Sequence, residues 1–203
     1  MYGDASINLS DAISAGDIGG DLTLVTEADQ TISDEITLNG SGAALSITAE
    51  EGAILTVQAA LTTNAGAMTL TADDDVIFTA AGDHSSSNGN IIVAADYDST
   101  SDTLSGGALT MVDGTVFNVG SGTITASADV DITIGQMTTT SSSTSAIKLS
   151  SVSGDILDGD TDESNDLTAS NGTVYIADAE LFGSSSNSLE VSASLTDTSG
   201  VTV

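Results

Sequence analysis

The sequence predicts an all-β fold, a single parallel β-helix (β-solenoid) running through residues 1–203, with about 23 residues per coil, irregular insertions and no evident capping helix. Three observations predict it. A phrase recurs: a Gly or Ser, then apolar residues alternating with Thr or Ser, then a small acidic cluster. Its first three spacings are equal. The inward-type residues are slim and aliphatic, and the chain has no proline, as suits ladders in which every backbone N–H is wanted as a donor.

The copies run GDLTLVTEAD from Gly20, GAALSITAEEG from Gly42, GAMTLTADDD from Gly66, GNIIVAADYD from Gly89, GALTMVDG from Gly107 and GTITASADVD from Gly122, with weaker ones at Ser145, Gly172 and Asn187. Their first apolar residues are Leu22, Leu45, Met68, Ile91, Leu109, Ile124, Ile147, Val174 and Leu189, spaced by 23, 23, 23, 18, 15, 23, 27 and 15 residues. A solenoid tolerates such drift because each coil touches only its neighbours and length changes go into corners. At about 23 residues per coil, 203 residues give roughly eight or nine coils at ~4.8 Å each, a rod of roughly 40 Å.

Within the copies, Val130, Ile132 and Ile134 alternate with Asp129, Asp131 and Thr133, and Leu189, Val191, Ala193 and Leu195 with Glu190, Ser192 and Ser194. Period two means one buried and one wet face. Only six aromatics occur, Tyr2, Phe78, Tyr97, Phe117, Tyr175 and Phe182, which suits a narrow tube better than a wide sandwich. Corners are expected at NGSG (39–42), SSSNGN (85–90) and SGG (105–107), whose residues accept positive φ or bond their own backbone. Crossover chirality predicts a right-handed coil.

Charge narrows the partners. Against 30 Asp plus Glu stand one basic residue, Lys148, and one histidine, His84, for a net charge of −29. Such a chain cannot neutralise phosphates, so nucleic acid is excluded as a partner, and anionic membranes repel it. At 39% hydrophobic residues in alternating runs, it is folded rather than disordered. The self-repulsion asks for a cation-rich medium, which points to an extracellular or cell-surface location. The first residues, MYGDASINLSDAISAGD, have no basic or apolar region of a signal peptide, and no apolar run is long enough for membrane insertion. Both ends read as uncapped strand edges, so the expected partner is more of the same: end-to-end self-association or continuation of a longer array.

GAMTLTADDDVIFTAAGD (66–83), GALTMVDGTVFNVGSGTITASADVDITIG (107–135) and SSVSGDILDGDTD (150–162) resemble the repeat arrays of giant secreted bacterial surface proteins, of the filamentous-haemagglutinin-like and large-adhesin type. The resemblance implies a secreted β-solenoid shaft, an adhesive or surface-extending role with an unidentified surface or glycan receptor, and bound calcium. The longer corner around His84 and the interruption at Lys148 depart from that repeat style.

The strongest cation signal is DGDTDESND, with Asp158, Asp160, Asp162 and Asp166 as candidate calcium ligands and Glu163 beside them. Alternate carboxylates on a tight turn can converge on a hard cation, and an exposed acidic corner is the other reading. It is not an EF-hand: the sixth position is Glu163 and the twelfth Ala169. Asp73, Asp74 and Asp75, then Asp96 and Asp98, then Asp129 and Asp131 recur in comparable places, either as a cation-bridged ladder or as a solubilising face. His84 sits in DHSSSN without a second His or a Cys and reads as a solvated loop residue.

No catalytic or cofactor-binding residue stands out, so the chain reads as a non-enzymatic structural element of an extracellular fibre, filament or adhesin stalk. A carbohydrate-acting β-helix enzyme is one alternative, since two carboxylates suffice for glycoside hydrolysis. An ice-binding solenoid is the other: Thr69 with Thr71 and Thr123 with Thr125 fit a Thr-x-Thr rank, whereas Ile92/Ala94 and Lys148/Ser150 break it.

Overall fold

A computed structural model describes residues 2–3, 19–79, 83–97, 106–160, 164–184 and 186–198, and among them every regular element is a β-strand. All strand pairing is parallel, in a solenoid of about 7 turns. Each coil crosses three faces. The first carries Leu22–Thr26, Leu45–Ala49, Met68–Ala72, Ile91–Ala95, Ile124–Ala128 and Ile147–Ser151. The second carries Gln30–Ile32, Leu55–Val57, Val76–Phe78, Leu109–Met111, Ile132–Ile134 and Ile156–Asp158. The third carries Ile36–Leu38, Leu61–Thr63, Asp83–Ser86, Val116–Asn118 and Gln136–Thr139. Leu167–Asp178 then runs from the third face round to the first, pairing with Gln136–Thr139 at one end and Ile147–Ser151 at the other. Val191–Asp197 follows it in parallel along both halves.

Two of the nine sequence copies are not coils of their own. Leu109 is paired with Val76 and Ile132 on the second face, and Val191, two residues past Leu189, lies beside Leu167 on the third. The true step over that region is Ile91 to Ile124, or 124−91 = 33 residues, with the surplus entering between Ala95 and Leu109. The roughly eight or nine coils expected therefore become seven, a stack of ~34 Å at ~4.8 Å per coil.

The interior is a set of columns running up the rod. On the first face Leu45, Met68, Ile91, Ile124, Ile147 and Val174 lie in register, with Ile47, Leu70, Val93, Ala126, Leu149 and Ile176 beside them, all buried. Because identical faces stack, each inward residue meets its counterparts in the coils above and below, and slim aliphatics fill the tube without bulk.

The third-face column departs from this: it reads Ile36, Leu61, His84, Phe117, Met137 and Leu167. His84 is thus a core residue, not a solvated one. It is 1% exposed, its ring 5.0 Å from Phe78 and 5.6 Å from Phe117, edge to face, and neither nitrogen has a hydrogen-bond partner. Burial pushes its pKa down from 6.5 to about 4. The ladder explains the placement: pairing of Asp83–Ser86 with its neighbours forces Asp83 and Ser85 outward and His84 and Ser86 inward.

Corners are held by side chains that reach the adjacent coil. Where the third face turns into the first, Gly66, Gly89 and Gly122 stack so closely that a Cβ on one would overlap a backbone carbonyl of the coil before. The inward hydroxyls of Thr63 and Ser86 donate to the Gly66 carbonyl at 2.7 and 2.8 Å, and that of Thr139 donates to Gly122 at 2.6 Å.

Carboxylates do related work. Asp21, Asp29, Asp75 and Asp131 accept the amides of Ala44, Ile54, Ala108 and Asp155, one coil on, at 2.8–3.1 Å. Immediately before the second-face strands the residues are Asp29, Ile54, Asp75, Ala108, Asp131 and Asp155. In the first coils acids thus alternate with apolar residues. That spaces the charges by two coils, ~10 Å, about a screening length at physiological salt.

If hydrogen-bond acceptance is the point, Asp75→Ala should cost about 1–2 kcal/mol of unfolding free energy in urea titrations and Asp75→Asn little. Equal losses in both variants would instead assign the charge itself the structural role.

Candidate metal centre

The centre forms where the second-face column changes character. Ile32, Val57, Phe78, Met111 and Ile134 follow one another up the rod, and the next position in register with Ile134 is Asp158. The alternation Ile156 in, Leu157 out points Asp158 toward the core, and its Oδ2 is shielded from solvent. Its Oδ1 accepts the Asp160 amide at 2.9 Å, folding the chain into a tight turn, while the Gly159 amide donates to the Ile134 carbonyl at 2.6 Å.

Asp166 enters from the third face, just before Leu167. Its amide donates to the Glu190 carbonyl at 3.0 Å, its own carbonyl accepts the Met137 amide at 2.6 Å, and its Oδ2 accepts the Glu190 amide at 2.7 Å. The residue is 1% exposed, and its Oδ1 has no hydrogen-bond partner. One carboxylate oxygen from each of Asp158, Asp160 and Asp166 lies within 4.8 Å of the others. Burial, reinforced by the charges of Asp158, Asp160 and Glu190 and opposed by the Glu190 N–H bond, pushes the Asp166 pKa up from 3.8 to about 7. Three acidic groups held this close make a cluster that could hold a metal ion.

The structure thus brings together three of the four residues singled out in the sequence. Asp162, with Glu163 beside it, lies outside the described residues. Glu190 was not anticipated. Its Oε2 is also shielded and without a hydrogen-bond partner, and Ser188 donates to its Oε1 at 2.9 Å. The signal that could have found it is the coil period: 190−166 = 24 residues separates it from Asp166.

The other acidic groups serve differently. Asp73, Asp96 and Asp129 each follow the last residue of a first-face strand, but their ladder bonds differ: the Asp73 amide donates to the Ala49 carbonyl, that of Asp96 to Asp74 and that of Asp129 to Gly107. Asp73 turns its Oδ2 back to accept the Gly52 amide at 2.6 Å, and among the described residues no three of these groups' ligand atoms converge as those of the cluster do. Asp98 lies outside the described residues. The outward rank on the first face reads Thr23, Ser46, Thr69, Ile92, Thr125, Lys148 and Tyr175, so Thr125 pairs in register with Ile92, and Thr123 sits at the corner before the strand. Tyr175 accepts a hydrogen bond from Thr198 at 3.0 Å.

Comparison with known proteins finds no matching family model, no matching curated protein and no matching solved structure. The fold and the acidic cluster stand on this chain alone.

Proposed function

We propose that this protein is a non-enzymatic structural segment, an acidic shaft within a bacterial extracellular fibre, filament or adhesin stalk, stabilised by calcium. The observation that carries the reading is the parallel stacking of coils on three faces, with several of the described corners tied to the next coil by Asp, Thr or Ser side chains. A body built this way transmits load along its axis through many backbone hydrogen bonds acting together. Its hydroxyl-bearing strand faces and acidic corners suit a hydrated, cation-rich exterior. Its partners on this reading are further coils, in the same chain or in another copy, and the resemblance of its repeats to those of large bacterial adhesins agrees with that use.

Immunogold labelling of source cells tests the reading. Label on the cell surface or on shed fibres is expected. Label confined to the cell interior, or release of reducing ends from a polysaccharide panel by the purified protein, would overturn it.

A further inference from the structure

We propose that Glu190, just before the strand Val191–Asp197, joins Asp158, Asp160 and Asp166 around one calcium ion, making a clamp that ties that strand to the coil beneath it. The proposal deepens the calcium part of the reading above and rests on it.

The argument begins with an inconsistency in the core. Every coil below places an apolar side chain at the second-face position that Asp158 occupies, and the neighbouring Asp166 is buried as deeply as the leucines around it. Burying carboxylates beside one another costs several kcal/mol per ion unless a counter-charge is present. The chain offers none: its single basic residue, Lys148, lies on the outer side of the first face. The Asp166 Oδ1 and Glu190 Oε2, shielded and without hydrogen-bond partners, are the atoms a cation would engage.

The spacing of the aspartate oxygens admits calcium, and Glu190 is held beside them by its amide bond to Asp166. Calcium takes six to eight oxygens at about 2.3–2.6 Å, so ligands on opposite sides of it are about 4.6–5.2 Å apart, and the three aspartate oxygens within 4.8 Å of one another can all touch one such ion. Magnesium usually keeps several waters and binds through one or two carboxylates, so a cluster of four protein carboxylates suits calcium better.

The clamp follows from connectivity. Asp158, Asp160 and Asp166 belong to one coil and Glu190 to the next, and the chain between them is itself anchored: Leu167–Asp178 pairs with the strands on either side, Phe182 bridges to Ile156, and Asn187 Nδ2 donates to the Asp160 carbonyl at 2.6 Å. Val191–Asp197 alternates partly buried with exposed positions along its parallel pairing with Leu167–Asp178, and an ion bridging Glu190 to the aspartates adds a tie across the junction.

Calorimetric titration with calcium chloride in 0.15 M salt, paired with hydrogen exchange of the full chain, tests this. One saturable site is expected above a background of weak surface binding, and calcium should slow amide exchange in 158–197 at least tenfold while leaving Leu45–Ala49 unchanged. Glu190→Gln and Asp166→Asn should each weaken that site tenfold or more, and Asp34→Asn, at an exposed turn, should not. A saturable site that survives Glu190→Gln, with no protection of the last coil, would overturn the clamp while leaving calcium binding intact. Weak unsaturable binding in all four proteins would overturn both.

Discussion

Gly122→Ala should lower the unfolding free energy by on the order of 3 kcal/mol, read as a fall in the urea midpoint, whereas Gly20→Ala should leave it unchanged or slightly raised. The same substitution acts on two opposing quantities. Alanine narrows the unfolded ensemble and so adds about 0.4–1 kcal/mol wherever its native backbone is accessible. At Gly20 nothing lies within 4 Å of the added carbon, so only that gain operates. At Gly122 the carbon would overlap the Gly89 carbonyl oxygen, a backbone atom of the coil below, and it would also stand 3.2 Å from the Val119 carbonyl. Neither coil can retreat. Gly122 accepts the Thr139 hydroxyl at 2.6 Å and donates to Val119 at 2.9 Å, while Gly89 is itself stacked on Gly66. Relief would have to propagate along the column, so strain exceeds the entropic gain. Equal midpoints for the two variants would refute close coil stacking at this corner.

The second large effect is in pH. His84→Phe should widen the stability gap over the parent by about 3 kcal/mol between pH 7 and pH 4. This follows from a fall of 2.5 pKa units, from 6.5 to about 4, at about 1.4 kcal/mol each. The native imidazole, facing Phe78 and Phe117, stays neutral where the unfolded one takes up a proton. Stability from this group is present above pH 6.5 and is lost as pH falls toward 4.

Asp166 has the opposite sign in cation-free buffer. Its pKa rises on folding from 3.8 to about 7, so the native state holds a proton that the unfolded state releases, and stability falls as pH rises through that window. In the parent the two contributions therefore oppose one another between pH 4 and 7. His84→Phe should lose stability as pH rises, and Asp166→Asn, which keeps an acceptor for the Glu190 amide, should gain it. Parallel profiles for all three proteins would sink both assignments.

Much of the fold is legible in local pattern. The alternation of Leu45, Ile47 and Ala49 with Ser46 and Thr48, repeated 23 residues on at Met68, Leu70 and Ala72, by itself determines parallel strands stacked in register with one face inside. The acidic turn at Asp158 and Asp160 is equally visible, because its carboxylates are close in sequence. What only the tertiary structure decided is which face each strand occupies. GALTMVDG and GAMTLTADDD look alike locally, yet Leu109 lies on the second face and Met68 on the first. The physical reason is that period-two alternation encodes in against out but carries no information about which of three faces a strand joins. That is settled by corner lengths and by ladder bonds to residues 20 or more positions away. The same non-local pairing turns His84 inward from a stretch that reads as a polar corner, sets Asp158 above Ile134, and brings Glu190 to Asp166 across a full coil.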